Sequence, residues 1–159
     1  MGRQKIVKTE IGWREWVSLP QLSVDTIKAK IDTGARTSAL HAEDIEIYTR
    51  RNRRFVRFTI TPMQRSRSNI IRASAPLVEK RHVKSSIGVS TYRPVISTHV
   101  KIGEDSFPIE ITLVDRDVMG FRMLLGRQAL RKRFIVDPAK SFITRKVKKP
   151  AKSSKRTKK

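Results

Sequence analysis

The residues with the clearest chemical potential are Asp32, Thr33, Gly34 and Ala35, which follow a segment of alternating apolar residues. An aspartate can act as a base toward water or, when protonated, as an acid toward a peptide oxygen. Gly34 lets the backbone approach the carboxylate and donate an N–H to it. The same triplet also forms ordinary turns, because Asp and Gly both favour them. The surrounding sequence must therefore decide between a plain turn and a catalytic loop.

Acid–base chemistry at this loop requires two aspartates. Two carboxylates held close together do not both ionise, so they share a proton, and one serves as base while the other serves as acid. A chain of 159 residues has room for one compact domain, and it contains a single Asp-Thr-Gly. The sequence thus predicts a homodimer in which each subunit supplies one Asp32.

Two elements are expected to position the loop. Ile27, Ala29 and Ile31 alternate with lysines, which predicts a half-buried strand that ends at Asp32. Later in the chain, the apolar segment 123–125 precedes Gly126 and a short helix predicted over residues 127–133. Taken alone, the second element is an ordinary join between a strand and a helix.

The remaining sequence has the pattern of a β protein. Hairpins are predicted around the polar run 50–54, around 61–69 and at the turn 103–106, each between segments of alternating apolar residues. Pro76 is expected to interrupt its strand, and a short strand at 134–136 is expected to stop before Pro138. Six or more strands and one short C-terminal helix predict an all-β, closed domain.

Taken together, the Asp32 loop and the segment Leu124-Leu125-Gly126-Arg127 resemble the paired motifs of retropepsins. The likeness is more specific to the bacterial and archaeal retropepsin-like proteins that have been called ATP-dependent zinc proteases, and it covers roughly residues 11–142. It rests on Gly12-Trp13-Arg14-Glu15-Trp16, Leu19-Pro20, Ala29-Lys30-Ile31-Asp32-Thr33-Gly34-Ala35-Arg36-Thr37-Ser38-Ala39-Leu40-His41-Ala42, Arg93-Pro94-Val95, Leu124-Leu125-Gly126-Arg127 and Val136-Asp137-Pro138.

The resemblance implies a closed retropepsin-like (acid protease) β-barrel and an aspartic endopeptidase-like hydrolase that is active as a homodimer. It implies that Asp32, Thr33 and Gly34 are catalytic, with the Thr33 hydroxyl bonding across the two-fold axis. Members of this family accompany ligases that add glutamates to a ribosomal protein, which suggests an acidic, glutamate-rich peptide as substrate. The strongly basic chain would attract such a peptide.

The sequence departs from retropepsins at Arg36, where many of them carry an acidic residue that pairs with the arginine at the helix start, here Arg127. Two cations at one loop suggest an anionic ligand or an acidic partner. Ala35, Arg36, Arg93 and Arg127 are therefore the predicted substrate-binding residues. Asp32 and Gly126 also stand farther apart than in viral retropepsins, which predicts a longer, basic flap between residues 58 and 92.

No cofactor and no metal are predicted. The chain has no cysteine, its histidines at 41, 82 and 99 are far apart in sequence, and no phosphate-binding glycine loop is present. His41 is interpreted as a core or edge histidine. Trp13, Trp16, Phe55 and Phe58 could stack on single-stranded nucleic acid, although packing is the commoner role of such residues.

The charge distribution suggests partners and a domain boundary. The 36 basic and 14 acidic residues give a net charge of +22, and the nine basic residues from Arg145 to Lys159 predict a disordered tail, residues 145–159, after a domain of residues 1–144. With no signal segment or apolar span, the protein is expected to be cytoplasmic and not bound to a membrane. Two other functions stay open. One is a non-catalytic protein that binds ribosomal RNA or another polyanion through the tail and residues 50–57, and the other is a metal-dependent peptidase.

Overall fold

The computed structural model describes residues 7–63, 70–84, 88 and 90–145. These residues form ten strands, one short α-helix and one 3-10 helical turn (Pro20–Leu22, between β1 and β2): β1 (Thr9–Leu19), β2 (Val24–Ile31), β3 (Ser38–His41), β4 (Glu43–Arg50), β5 (Arg53–Ile60), β6 (Ile71–Lys84), β7 (Ser90–Ile102), β8 (Asp105–Val114), β9 (Met123–Leu125), α1 (Arg127–Leu130) and β10 (Phe134–Ser141). The predicted all-β chain with one short helix is confirmed, although α1 ends at Leu130 rather than Arg133. No described helix has the length and apolar character needed to cross a membrane.

The strands form one sheet in the order β10-β1-β2-β9-β3-β8-β7-β6-β5-β4. Ser18 of β1 also pairs with Lys101 of β7, so β1, β2, β9, β3, β8 and β7 make a ring. Across the described chain this junction consists of one residue pair, and the ring is therefore partial. The fully closed barrel predicted from the sequence is not confirmed.

The hydrophobic core is built mainly from alternate residues of the ring strands, and Val56, Phe58 and Ile60 of β5 add to it. Each such side chain contributes roughly 1.5–3 kcal/mol when it leaves water, which stabilises a chain with a highly charged surface. The fully buried members include Ile11, Leu19, Ile27, Leu40, Ile96, Ile111, Leu113, Met123 and Leu125.

The predicted hairpins are confirmed where the structure describes them. The β4–β5 turn is made by Arg51 and Asn52, which adopt left-handed φ values of 51° and 64°, as a tight hairpin turn requires. Gly103, with φ +58°, makes the β7–β8 turn. Strand β5 pairs with β6 from Ile60↔Ile71 onward, while residues 64–69 between them lie outside the described residues.

Two expectations about proline were wrong. Strand β6 continues through Pro76 because it pairs with β5 up to Pro76 and with β7 from Leu77, so the proline stands where the strand changes partner. Strand β10 continues through Pro138 to Ser141, and its register with β1 shifts at this point. A proline is tolerated at such an irregularity because a ladder hydrogen bond is already missing there.

Glu15 is a fully buried carboxylate that ties the end of the described chain to β1. It lies on the core face of β1, and its oxygens accept hydrogen bonds from the N–H groups of Gly12 (2.6 Å), Ile143 (3.2 Å) and Thr144 (3.1 Å) and from the Thr144 hydroxyl (2.9 Å). Four donors satisfy the carboxylate, so its burial is compensated.

Glu15→Gln is expected to lower the free energy of unfolding by about 2–4 kcal/mol, because the new amide places its own N–H donors among N–H groups that need an acceptor. Urea denaturation followed by circular dichroism measures the loss. Glu104→Gln, at an exposed residue of the β7–β8 turn, is the control and should change stability by less than about 0.5 kcal/mol. Equal effects of the two substitutions would contradict this role of Glu15.

Arg145 is the last described residue. Its Nη1 donates to the Ser18 hydroxyl (2.8 Å) and to the backbone carbonyl of Asp25 (3.0 Å). The domain boundary expected before residue 145 stays a prediction. Residues 146–159 of the predicted tail lie outside the described residues.

Candidate active site

The strand ladder places Asp32 on a defined face of the sheet. Strand β2 pairs in parallel with β9, with Ile31 beside Leu125, and the Asp32 N–H continues this ladder by donating to the Leu125 carbonyl at 2.9 Å. The alternation of β2 therefore extends to Asp32. Ile27, Ala29 and Ile31 face the core, and Asp32 faces the opposite side together with Lys30 and Lys28.

The backbone of its own loop orients the Asp32 carboxylate. The Gly34 N–H donates to Oδ1 at 2.9 Å, and the Ala35 N–H donates to the Asp32 carbonyl at 3.2 Å. A Cβ added at Gly34 would stand 3.1 Å from the same Oδ1, so a side chain there would press on the carboxylate. Asp32 is half-buried, which leaves it fixed in direction and accessible to a water or a substrate.

Gly126 allows the two predicted elements to interlock. A Cβ at this position would lie 2.6 Å from the Thr37 carbonyl oxygen and 2.9 Å from that of Ala35, so the close approach excludes any side chain. The Gly126 N–H donates to the Ser38 hydroxyl at 3.1 Å, and the next N–H, of Arg127, donates to the Ala35 carbonyl at 2.7 Å. The helix start thus locks the Asp32 loop in place.

The Arg127 side chain braces the loop itself. Its Nη1 donates to the carbonyl oxygens of Thr33 (3.0 Å) and Gly34 (3.1 Å). Many retropepsins carry an acidic residue at the position of Arg36, and it pairs with the arginine at the helix start. Here Arg127 binds the two backbone carbonyls instead, because they offer the guanidinium a concentrated negative partial charge. Sequence reasoning missed this contact, since backbone acceptors leave no trace in residue types.

The other predicted binding residues are placed differently. Ala35 acts through its backbone, and Arg36 is exposed, with its carbonyl accepting from the Gln128 N–H at 3.1 Å. Arg93 lies on β7 opposite Arg81 of β6, and no hydrogen bond or ion pair joins it to a residue of the described Asp32 loop. The structure thus brings Ala35, Arg36 and Arg127 together at the loop and leaves Arg93 in the β6–β7 hairpin.

His41 belongs to a polar cluster that sequence reasoning did not foresee. Its Nδ1 lies 2.9 Å from Asp117 Oδ1, and Arg122 Nη1 lies 3.1 Å from the same oxygen. The Nε2 atom lies 3.6 Å from Glu43 Oε1. This cluster anchors residues 115–122, which we call the β8–β9 segment, against β3, in agreement with a packed edge histidine.

The described residues do not fit a zinc ion. No group of three His, Cys, Asp or Glu side chains among them is arranged to hold a metal. His82 packs on the Tyr92 ring at a centroid distance of 5.2 Å, and His41 is engaged as above.

Two lysines near Asp32 were interpreted only as the polar face of a half-buried strand. Lys30 Nζ lies 3.5 Å from the Met119 sulfur, and Lys28 Nζ lies 5.4 Å from the centroid of the Phe121 ring. Both apolar side chains belong to the β8–β9 segment. The signal was present in the sequence, because residues 28, 30 and 32 share one parity on a strand that ends at the aspartate.

An Asp-Thr-Gly loop at the end of one strand, with a second strand inserted beside it and closed by a glycine and a short helix, defines a retropepsin-like protein. Strand β9 is that second strand, lying parallel to β2 and antiparallel to β3. The chain belongs to the RimB-like family, described as the retropepsin-like aspartic endopeptidase RimB, which it matches over residues 10–147. The family resemblance inferred from the sequence is confirmed.

Two curated relatives are named as glutamate ligases and not as peptidases. The chain is 44% identical over 136 residues to a probable alpha-L-glutamate ligase of Desulfotalea psychrophila, covering 86% of this chain and 29% of that protein. It is 46% identical over 131 residues to a probable alpha-L-glutamate ligase of Parasynechococcus marenigrum, covering 82% and 28%. This chain therefore spans less than a third of the length of these curated relatives.

A solved structure has a similar fold. The crystal structure of a protein of unknown function from Legionella pneumophila superposes with a TM-score of 0.72 at 28% sequence identity. The match covers 87% of this chain and all of that one. The fold described here is thus present in an experimentally determined relative.

Proposed function

We propose that this protein is an aspartic peptidase that works as a homodimer and hydrolyses peptide bonds in acidic, glutamate-rich segments. The observation that carries the proposal is the Asp32 carboxylate, which is held by the Gly34 N–H at 2.9 Å and remains half-exposed at the end of β2. A carboxylate fixed in direction and accessible to water is suited to acid–base chemistry.

The proposed reaction needs a second carboxylate. In the part of the chain that the structure describes, no acidic side chain is hydrogen-bonded to Asp32. In the dimer, one Asp32 removes a proton from water as its oxygen attacks the peptide carbon, and the other donates its proton to the carbonyl oxygen. Collapse of the tetrahedral intermediate then breaks the C–N bond: the first Asp32 gives the proton taken from water to the nitrogen, and the hydroxyl formed from the carbonyl oxygen returns its proton to the second Asp32. Thr33 is exposed, as a residue that bonds to its partner copy across the axis would be.

The glutamate-rich substrate is supported by the relatives and by charge. Proteins named for ligating L-glutamate contain a region similar to this chain, so in them such a region shares a polypeptide with an activity on glutamate. The net charge of +22 and the exposed Arg36 at the Asp32 loop would attract an acidic peptide. Arg93, on β7, would add to this attraction from farther away.

The test is incubation of the 159-residue chain with a peptide of ten glutamates, with product lengths read by mass spectrometry. Cleavage that persists in EDTA is the expected result, since the two carboxylates activate water without a metal. A peptide of ten glutamines is the control and should be cut more slowly. No cleavage between pH 3 and 8 would overturn the proposal.

A second candidate function is binding of RNA or another polyanion without catalysis. It is favoured by the β4–β5 hairpin, where Arg50, Arg51, Arg53 and Arg54 are all exposed and form no ion pair with a described acidic residue. Cations in such a row can neutralise successive phosphates. This function predicts RNA binding that weakens steeply with salt and is unchanged by substitution of Asp32.

A further inference from the structure

The polar face of β2 carries two cations beside the candidate catalytic aspartate. Alternate residues of a strand lie about 6.6–6.8 Å apart, so Lys30 stands one repeat from Asp32 and Lys28 stands two repeats away. The ladder bond from the Asp32 N–H to the Leu125 carbonyl, at 2.9 Å, keeps all three residues in this alternation. An extended ligand that runs along this face of β2 to Asp32 therefore passes Lys30.

Neither lysine forms an ion pair with an acidic side chain in the described part of the chain. Instead, apolar side chains of the β8–β9 segment lie next to them. The Met119 sulfur is 3.5 Å from Lys30 Nζ, and the centroid of the Phe121 ring is 5.4 Å from Lys28 Nζ. Both lysines are half-buried. A cation that has lost part of its water without gaining a counter-charge favours an anionic partner more than a fully exposed one does.

The side chains next to Lys30 on the neighbouring strands are apolar or point elsewhere. Leu124 of β9 pairs with Lys30, and Ala39 of β3 pairs with Leu124, so these residues next to Lys30 are apolar. Arg14, its partner on β1, is directed toward β10 on the other side of β1, where its Nε donates to the Ser141 hydroxyl (3.2 Å) and its guanidinium stacks on Phe142 (4.8 Å). Lys30 is thus the cation of this face of β2 that stands nearest to Asp32 along the strand, where it can meet a ligand carboxylate.

We propose that Lys30 determines specificity at this site by binding the carboxylate of an acidic side chain that flanks the scissile bond, with Lys28 contributing at longer range. This inference rests on the proposed peptidase function and assigns its substrate preference to particular residues. The preference for an acidic peptide then resides beside Asp32 and not only in the overall positive charge. A hydrophobic flanking residue would leave the Lys30 ammonium without a partner.

The test compares ten-residue glutamate and glutamine peptides. Lys30→Gln should lower kcat/KM for the glutamate peptide at least about tenfold and leave that for the glutamine peptide unchanged. Lys28→Gln should have a smaller effect, and Lys30→Arg should retain most of the preference. The control is Lys101→Gln, which removes an exposed lysine that pairs with Ser18 at the far end of β1, and both rates should stay unchanged.

Affinity for the same two peptides, measured by fluorescence anisotropy in the Asp32→Asn background, separates this inference from the proposed function. If the wild type cleaves neither peptide but Lys30→Gln weakens glutamate binding selectively, the peptidase function is overturned and the Lys30 site is supported. If Lys30→Gln and Lys101→Gln reduce glutamate binding or cleavage equally, the preference comes from net charge alone and the Lys30 site is overturned.

Discussion

Asp32→Asn is expected to reduce the rate of glutamate-peptide hydrolysis by at least about a thousandfold while the fold persists. Asparagine has nearly the same shape, and its amide oxygen can still accept the Gly34 N–H that now reaches Oδ1 at 2.9 Å. An amide neither removes a proton from water nor carries the shared one, so both chemical roles are lost. Initial rates and the thermal transition of the purified variant provide the measurement.

The matched control is Asp25→Asn on the same strand. The Asp25 side chain is 96% exposed and lies at the opposite end of β2 from Asp32, so this variant should keep full activity. Peptide binding to Asp32→Asn should be retained or become tighter, since removal of a negative charge favours an acidic ligand. Hydrolysis that continues at the wild-type rate in Asp32→Asn would remove Asp32 from the mechanism.

Local features of the fold could be predicted because short-range physics decides them. The β7–β8 hairpin follows from two alternating segments around Gly103, and the β4–β5 hairpin follows from a polar run that contains Asn52, a residue that tolerates a left-handed turn. The strand before Asp32 was equally clear, since Ile27, Ala29 and Ile31 all lie on one face. In each case the decisive residues lie within about ten positions of one another.

Long-range pairing could not be predicted from composition or periodicity. The insertion of β9 between β2 and β3 joins segments almost a hundred residues apart, and only the family resemblance suggested that Gly126 lies beside the Asp32 loop. The course of β6 past Pro76 also depends on a change of partner strand that no local pattern records. The extent of ring closure between β1 and β7 depends on the same kind of distant contact.

The candidate site shows the same division. The motifs predict the roles of three residues: Asp32 provides the carboxylate, Gly34 lets the backbone approach it, and Gly126 leaves room for the backbone of the Asp32 loop. The brace from Arg127 was missed because its acceptors are backbone carbonyls. Glu15 was not recognised as buried, although it shares the core-facing parity of Val17 and Leu19, because an acidic residue in a strand is usually exposed.

Subunit mixing is expected to show that each active site needs two copies of the chain. When the wild type is unfolded and refolded with about a ninefold excess of Asp32→Asn, random pairing gives each wild-type subunit a wild-type partner in about one case in ten. Activity per wild-type subunit should therefore fall to about a tenth, because a dimer with one Asp32 lacks either the acid or the base. Peptide hydrolysis after refolding, with dimer mass checked by light scattering, gives the result.

The same excess of Asp25→Asn is the control for losses during refolding, and it should leave activity per subunit unchanged because its dimers keep both Asp32 carboxylates. The two mixtures differ only in the substituted aspartate, which is the exposed Asp25 of β2 in one and the half-buried Asp32 of the following loop in the other. Activity that stays proportional to the amount of wild-type chain in the Asp32→Asn mixture would mean that one Asp32 suffices. A second acidic group within the chain would then have to supply the other half of the acid–base pair.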